Sequence, residues 1–393
     1  MRILHVLRAP VGGLFRHVLD LSAEQARRGH DVGLVVADTA DELTGRRLVA
    51  AEPNLTLGIE RLAIPRGIGS TDIQAALAVR RRVKALGVDV VHGHGAKGGA
   101  YARLAGINVR VSGRPVRVVY TPHGGTLNFD PKSVEGRVYH AMERVLDAAT
   151  SGIVFESAFA AATFQSVIGA GRAPRRVVHN GLRPSDFEPR QLAPDAADLL
   201  FIGELRFLKG VDVLLGAIHD LTLQGRPLTA VIVGSGPDRA VFEATAATLG
   251  LADRVRFTGA MPAADAFGLG RILIVPSRKE SLPYIVLEAA AAGVPLIATN
   301  VGGIPEIVDG SDTPLLPADD AAALARAVAV LLGDPELAAA RASRLYGAVH
   351  DRFTVGRMAD DIASFYDDLA EPMPRGGASG VPKTDAFVAG PPS

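Results

Sequence analysis

The sequence predicts an α/β fold in two halves, each a parallel sheet with helices on both faces. Three observations lead there. Short runs rich in β-branched residues alternate with helix-forming stretches along the chain, the pattern of parallel sheets wrapped by helices. The alternation stops at a Pro- and Asp-rich connector, P-S-D-F-E-P-R-Q-L-A-P-D-A-A-D, and then restarts. The chain has 393 residues, too many for one ordinary core and enough for two domains of about 180 residues each. The expected division is 1–183 for the first domain, 184–198 for the linker and 199–370 for the second domain. Residues 371–393, rich in Pro, Gly and Ser, read as a disordered tail.

Composition narrows the chemistry. Hydrophobic residues make up 48% and charged residues 21% of the chain, a globular balance, and there is no cysteine. Disulfides, thiolate metal sites and thiol nucleophiles are therefore excluded together, and a reducing cytoplasm suits the chain. The opening M-R-I-L-H-V-L breaks at Pro10, too early for a signal-peptide core, and no run of 18 apolar residues exists to span a bilayer. Net charge is zero, yet residues 1–183 hold 25 Lys and Arg against 15 Asp and Glu, while the remainder holds 17 against 27. A basic first half suits anionic headgroups at the inner face of the cytoplasmic membrane; ordinary solvation of surface arginines is the other reading. No nucleic-acid partner is expected.

In the first half, strands are expected at 2–7, 31–36, 88–92, 116–121, 152–155 and 176–179. After the first strand, Gly12 and Gly13 open a helix whose apolar Leu14, Val18, Leu21 and Ala26 keep near-helical spacing. A glycine pair there lets backbone approach a phosphate closely, although the full G-x-G-x-x-G of dinucleotide binders is missing. The next strand ends in H-G-H-G-A-K-G-G. His92 and His94 share one side of it, but a metal site needs a third ligand and the sequence offers no obvious one. His123, in T-P-H-G-G, follows a strand and precedes two glycines that leave space around it. It is expected to reach a crevice, or else to hydrogen-bond within its own loop.

The second half opens with a strand to Ile202, then a loop carrying Arg206 and Lys209, then a helix from about Val211. Two cations beside a helix N-terminus can clamp a diphosphate without a metal. Gly234 and Gly236 sit in the loop after A-V-I-V, where a nucleotide-facing turn and a plain tight turn would both use glycine. The stretch V-P-S-R-K-E-S-L-P-Y-I-V-L-E then puts Glu280 in a strand-to-helix loop and Glu288 about two turns into a helix starting at Pro283. The amides around Ser281, Leu282 and Pro283 face the carboxyl ends of the strands, where open α/β sheets bind ligands. Solvated helix-end charges are the other reading of both glutamates. Two further helices are expected, at about 318–332 and 354–369.

The E-x7-E spacing with S-L-P-Y inside it, together with R-x-x-K-G at Arg206, resembles the donor site of retaining GT-B glycosyltransferases of family 4. Ser281 stands where the commonest version of the motif has Gly. The resemblance runs from the first strand to about Leu369 and implies two Rossmann-like domains facing a cleft. It implies a nucleotide-sugar donor in the second domain and a hydroxyl acceptor mostly on the first, where the basic charge suits a lipid-linked glycan. Arg206 and Lys209 would hold the donor's pyrophosphate, Glu280 the sugar and Glu288 the ribose. His123 would lie against the sugar, Gly12 and Gly13 between the donor phosphates and the acceptor, and His94 and Lys97 near the acceptor. Neither cofactor nor metal is implied. Epimerases and glycan phosphorylases share this fold and these motifs, and a sugar-nucleotide sensor remains open as a non-enzymatic alternative. A nicotinamide oxidoreductase lacks its fingerprint in both halves.

Overall fold

The computed structural model describes residues 1–370 apart from Ala9, Val11, Thr39, Ala40, Arg66 and Ile68. The expected disordered tail lies outside these described residues. In the first half, β1 (Arg2–Leu7), α1 (Gly12–Arg27), β2 (Asp31–Ala37), α2 (Glu42–Ala51) and β3 (Gly58–Leu62) follow one another. Then come α3 (Ser70–Leu86), β4 (Val90–His94), α4 (Gly95–Gly106) and a small hairpin, β5 (Arg110–Val111) with β6 (Arg114–Pro115). The half closes with β7 (Arg117–Thr121), α5 (Val134–Asp147), β8 (Gly152–Phe155), α6 (Ala158–Val167) and β9 (Arg175–Val177). Seven strands form one parallel sheet in the order β3-β2-β1-β4-β7-β8-β9.

The second half repeats the plan. It runs β10 (Ala197–Ile202), α7 (Val211–Leu223), β11 (Ala230–Val233), α8 (Arg239–Thr248), β12 (Val255–Gly259), a single turn α9 (Ala263–Ala266) and β13 (Gly270–Val275). It continues with α10 (Tyr284–Ala291), β14 (Leu296–Thr299), α11 (Ile304–Val308), β15 (Leu315–Leu316), α12 (Ala321–Gly333), α13 (Pro335–His350) and α14 (Val355–Asp368). Its six strands are parallel in the order β12-β11-β10-β13-β14-β15. In both sheets the order reverses beside the first strand, at β1/β4 and at β10/β13. A doubly wound sheet opens its ligand crevice at such a switch point.

Three elements depart from expectation. Strand β3, G-I-E-R-L, is only partly buried at the sheet edge, so it lacks the apolar run that marks the others. Helix α13 occupies 335–350, where no helix was expected; Asp334 caps it through its side chain and Pro335 begins it. The first sheet's last strand spans Arg175–Val177 and ends two residues before the 179 expected.

Packing explains the glycines of α4. A Cβ on Gly98 would lie 2.3 Å from Val6 O, and one on Gly99 would lie 2.2 Å from the Tyr120 ring. The run G-A-K-G-G therefore lets α4 press onto the sheet. Over the same sheet α14 crosses back from the second half, and its Met358, Ile362, Phe365 and Tyr366 join Ile3, Val90 and Val119 in one buried cluster.

Candidate active site

The loops after β10 and β13 converge at the second sheet's switch point. Gly210, in a left-handed conformation at φ 70°, follows the turn Phe207–Lys209. A Cβ there would sit 2.0 Å from Pro276 O, so only glycine lets the two loops touch. Across that contact Lys209 Nζ meets Glu280 Oε1 at 2.6 Å, and Ser277 Oγ donates to the same oxygen at 2.7 Å. Glu280 is nearly buried, whereas Arg206 is exposed, with Glu204 3.9 Å from its guanidinium. Gly234, at φ 149°, holds the neighbouring β11 loop tight against Gly203, whose carbonyl would lie 1.8 Å from an added Cβ. Gly302 and Gly303 back the same site: their Cβ positions would fall 2.0 Å from Glu280 O and 2.4 Å from Ser281 O.

The first sheet faces this cluster and touches it. Ser281 Oγ donates to Glu156, directly after β8, and the backbone amides of His123 and Gly124 lie beside the same carboxylate. Burial raises the Glu156 pKa above the usual carboxylate value. Asn180 Nδ2 donates to Leu282 O at 2.9 Å. At the start of α1, Gly13 abuts the Tyr284 ring, just beyond Pro283, the N-cap of α10. Arg16 stacks on Tyr284 with its carbon 4.8 Å from the ring centre, and its guanidinium joins Glu288, Asp186 and Asp20. Glu306 spans the halves as well, accepting from the amides of Ala158 and Phe159 at 2.8 Å each.

Behind His123 stands a set of imidazoles at the first sheet's switch point. His123 takes a left-handed φ of 49°, and its Nε2 lies 3.1 Å from His94 Nδ1. His94 Nε2 lies 2.9 Å from His5 Nδ1, and His5 Nε2 lies 2.8 Å from Gln25 Oε1. Burial keeps these rings neutral, lowering His5 to about 4 and His123 to about 3. The loop itself is braced by a buried network. Glu143 takes Arg103 Nη1 at 2.7 Å, Tyr120 OH at 3.0 Å and Thr126 Oγ1 at 3.1 Å.

The expected site residues that touch are His94 with His123, Gly13 with Tyr284 just beyond Pro283, Lys209 with Glu280, Ser281 with Glu156, Leu282 with Asn180 and Glu288 with Arg16; Gly12 opens the helix beside them, and Arg206 and Gly234 lie in adjoining loops. Lys97 does not join them. Its Nζ is held by Asp72 Oδ1 and Gly67 O at 2.6 Å each. Sequence reasoning missed Arg16, Glu156, Asn180 and Asp186. Only the position of Glu156, directly after a buried parallel strand in V-F-E-S, offered a signal. The search for a third histidine beside His92 and His94 also failed in sequence, because His5, His17 and His123 come from other elements.

Two facing doubly wound sheets, with cations, glycines and a carboxylate pair between them, are the GT-B architecture. Residues 11–186 match the family model described as Glycosyltransferase Family 4, and residues 196–334 that of Glycosyl transferases group 1. The chain is 30% identical over 360 residues to glycogen synthase of Mycobacterium tuberculosis, covering 84% of this chain and 85% of that protein. It is 32% identical over 355 residues to 2-deoxystreptamine glucosyltransferase of Streptomyces kanamyceticus, covering 80% and 89%. Among solved structures, sucrose-phosphate synthase from Thermosynechococcus elongatus superposes with a TM-score of 0.80 at 21% identity, covering 94% of this chain and 99% of that one. Anabaena HepE in complex with UDP-glucose gives 0.76 at 19% identity, covering 94% and 100%. The chain belongs to the group 1, family 4 glycosyltransferases.

Proposed function

We propose that this glycosyltransferase moves a sugar from a nucleoside diphosphate donor to a hydroxyl acceptor with retention at the anomeric carbon. The observation that carries the reading is the Lys209–Glu280 pair at the β10/β13 switch point, with Arg206 extended beside it. Lys209 and Arg206 neutralise the diphosphate as charge builds on its departing oxygen, a role that preorganised cations fill without an ion. Glu280, fixed by Lys209 and Ser277, takes sugar hydroxyls. Glu288 takes the ribose, in exchange for or alongside its pair with Arg16. The HepE complexes with UDP and with UDP-glucose support a uridine donor.

Retention is proposed to proceed on one face, without a covalent glycosyl intermediate. Double displacement needs a carboxylate placed as nucleophile under the anomeric carbon, and Glu280 is engaged by Lys209 and Ser277 instead. The departing phosphate oxygen then takes the acceptor's proton on the same face as attack, while His123 orients the sugar. The two halves, acceptor-binding 1–183 and donor-binding 199–370, close over the reaction and exclude water.

The acceptor is a glycan in polysaccharide or glycoconjugate assembly, carried on lipid at the inner membrane face. Among the described residues no helix is long and apolar enough to cross a membrane, so contact would be peripheral. Support comes from α5, where Val134, Val138, Met142 and Val145 form an exposed apolar strip beside Lys132 and Arg137.

Retention is tested by following donor turnover in chelator by proton NMR, using α-linked nucleoside diphosphate sugars. The first-formed free sugar or glycoside is expected to be the α anomer. A β anomer appearing first would overturn retention, and strict dependence on a divalent ion would overturn the metal-free clamp.

A further inference from the structure

We propose that His17, His94 and His123 form a binding site for one imidazole-preferring divalent cation of the zinc class, beside the cleft and apart from the diphosphate clamp. The three side chains each offer a ring nitrogen, and these nitrogens all lie within 4.8 Å of one another. They come from α1, the end of β4 and the loop after β7, so no stretch of sequence displays them as a motif.

The hydrogen bonds decide which nitrogens are free. Asn180 Nδ2 donates to Leu282 O, which leaves its Oδ1 as an acceptor for His17 Nδ1–H at 3.0 Å. His17 is thereby the Nδ1–H tautomer, and its buried Nε2 carries a lone pair with no partner. Gln25 Oε1 likewise takes His5 Nε2–H, so His5 Nδ1 accepts from His94 Nε2–H, and His94 Nδ1 is left as an acceptor. Only His123 Nε2–H fills that acceptor now. A cation entering there requires His123 to carry its single proton on Nδ1 instead, so all three ligands stay neutral and no proton is lost.

Metal-ligating histidines characteristically donate their second N–H to a fixed acceptor, which sets tautomer and orientation. His17 has Asn180 for this and His94 has His5. Zinc–nitrogen bonds of about 2.0–2.1 Å place tetrahedral ligands roughly 3.3 Å apart, so the rings close by on the order of 1 Å. Neutral imidazoles favour zinc, nickel or copper over magnesium and calcium, which prefer oxygen. Burial has already removed the competing proton, since His17 and His94 lie well below their ordinary pKa. The adjacent Arg16 charge is met by three carboxylates. A second triad, His5, His92 and His94, is also compact. Both His92 nitrogens, however, are occupied by Tyr366 OH and Thr121 Oγ1, which marks it as packing.

The full chain, stripped with chelator and exchanged into metal-free buffer, is titrated with Co²⁺ while its visible absorption is followed, then challenged with Zn²⁺. One saturable equivalent is expected, with intense visible bands that Zn²⁺ bleaches. His17→Gln, checked for folding by its thermal melt, is expected to weaken Co²⁺ binding at least tenfold. His219→Gln, far from the cluster on α7, should leave it unchanged. No saturable uptake by the unmodified chain, or uptake indifferent to His17→Gln, would overturn the site. Donor turnover in chelator is a separate measurement and fails or succeeds independently.

Discussion

Five imidazoles, His5, His17, His92, His94 and His123, crowd the first sheet's switch point, and burial holds all of them neutral. Their folded-state pKa values lie below the ordinary 6.5, so on acidification the unfolded chain takes up protons that the folded chain refuses. The stability they confer is complete above about pH 6.5 and drains away as pH falls towards 4. For His5, lowered to about 4, the loss amounts to about 3 kcal/mol. Glu156 and Asp20 act in the opposite sense, since burial raises their pKa values, but they are two groups against five. Melting temperature measured in chelator is therefore expected to fall steeply between pH 7 and pH 4, and less steeply in His5→Gln. A flat profile across that range would mean the cluster is solvated.

Among the elements, α5 connects residue chemistry to location. Its inner face carries Glu143, which fixes the His123 loop, while its outer face leaves four apolar side chains in solvent. An apolar strip flanked by Lys and Arg can sink into the headgroup region while the cations meet anionic lipid. Vesicles containing anionic lipid should bind the chain, more weakly at high salt, and Val138→Asp with Met142→Asp should cut binding severalfold. Binding that ignores both salt and the double substitution would reject this surface, as would none at all. The elements also show what a sequence can carry. Strands with continuous apolar runs, such as β8, β11 and β13, were legible because burial on both faces demands such runs. Edge strand β3 was not, since half of it faces solvent. Helix α13 was hidden because its alanine-rich stretch P-E-L-A-A-A-R-A-S-R-L shows weak apolar periodicity, leaving only its capping residues as a signal.

At the scale of the whole molecule, the site exists because two sheets meet across their switch points. The residues proposed to hold the donor stood out in sequence, since Arg206, Lys209, Glu280 and Glu288 lie in two short motifs on one half. The contacts that join the halves were not. Arg16 and Glu288 are 272 positions apart and Glu156 and Ser281 are 125, and no local pattern announces such partners. Glycines told a mixed story: Gly210 and Gly234 serve the cleft, whereas Gly98 and Gly99 serve the packing of α4. The central claim is that the Lys209–Glu280 cleft binds a nucleoside diphosphate sugar. The measurement that tests it most directly is the ligand-induced rise in melting temperature, in chelator, across a panel of nucleotide sugars. Parent chain, Arg206→Ala, Lys209→Ala and Glu288→Ala are compared. Lys209→Ala leaves Glu280 unpaired and lowers the melting temperature by itself, so the shift on adding ligand is the quantity read. Ligand at a hundred times its Kd stabilises the folded chain by about 2.7 kcal/mol. One nucleotide series is expected to raise the parent's melting temperature by several degrees and to leave the three variants nearly unmoved. No shift with any nucleotide sugar, or equal shifts in parent and variants, would contradict the account.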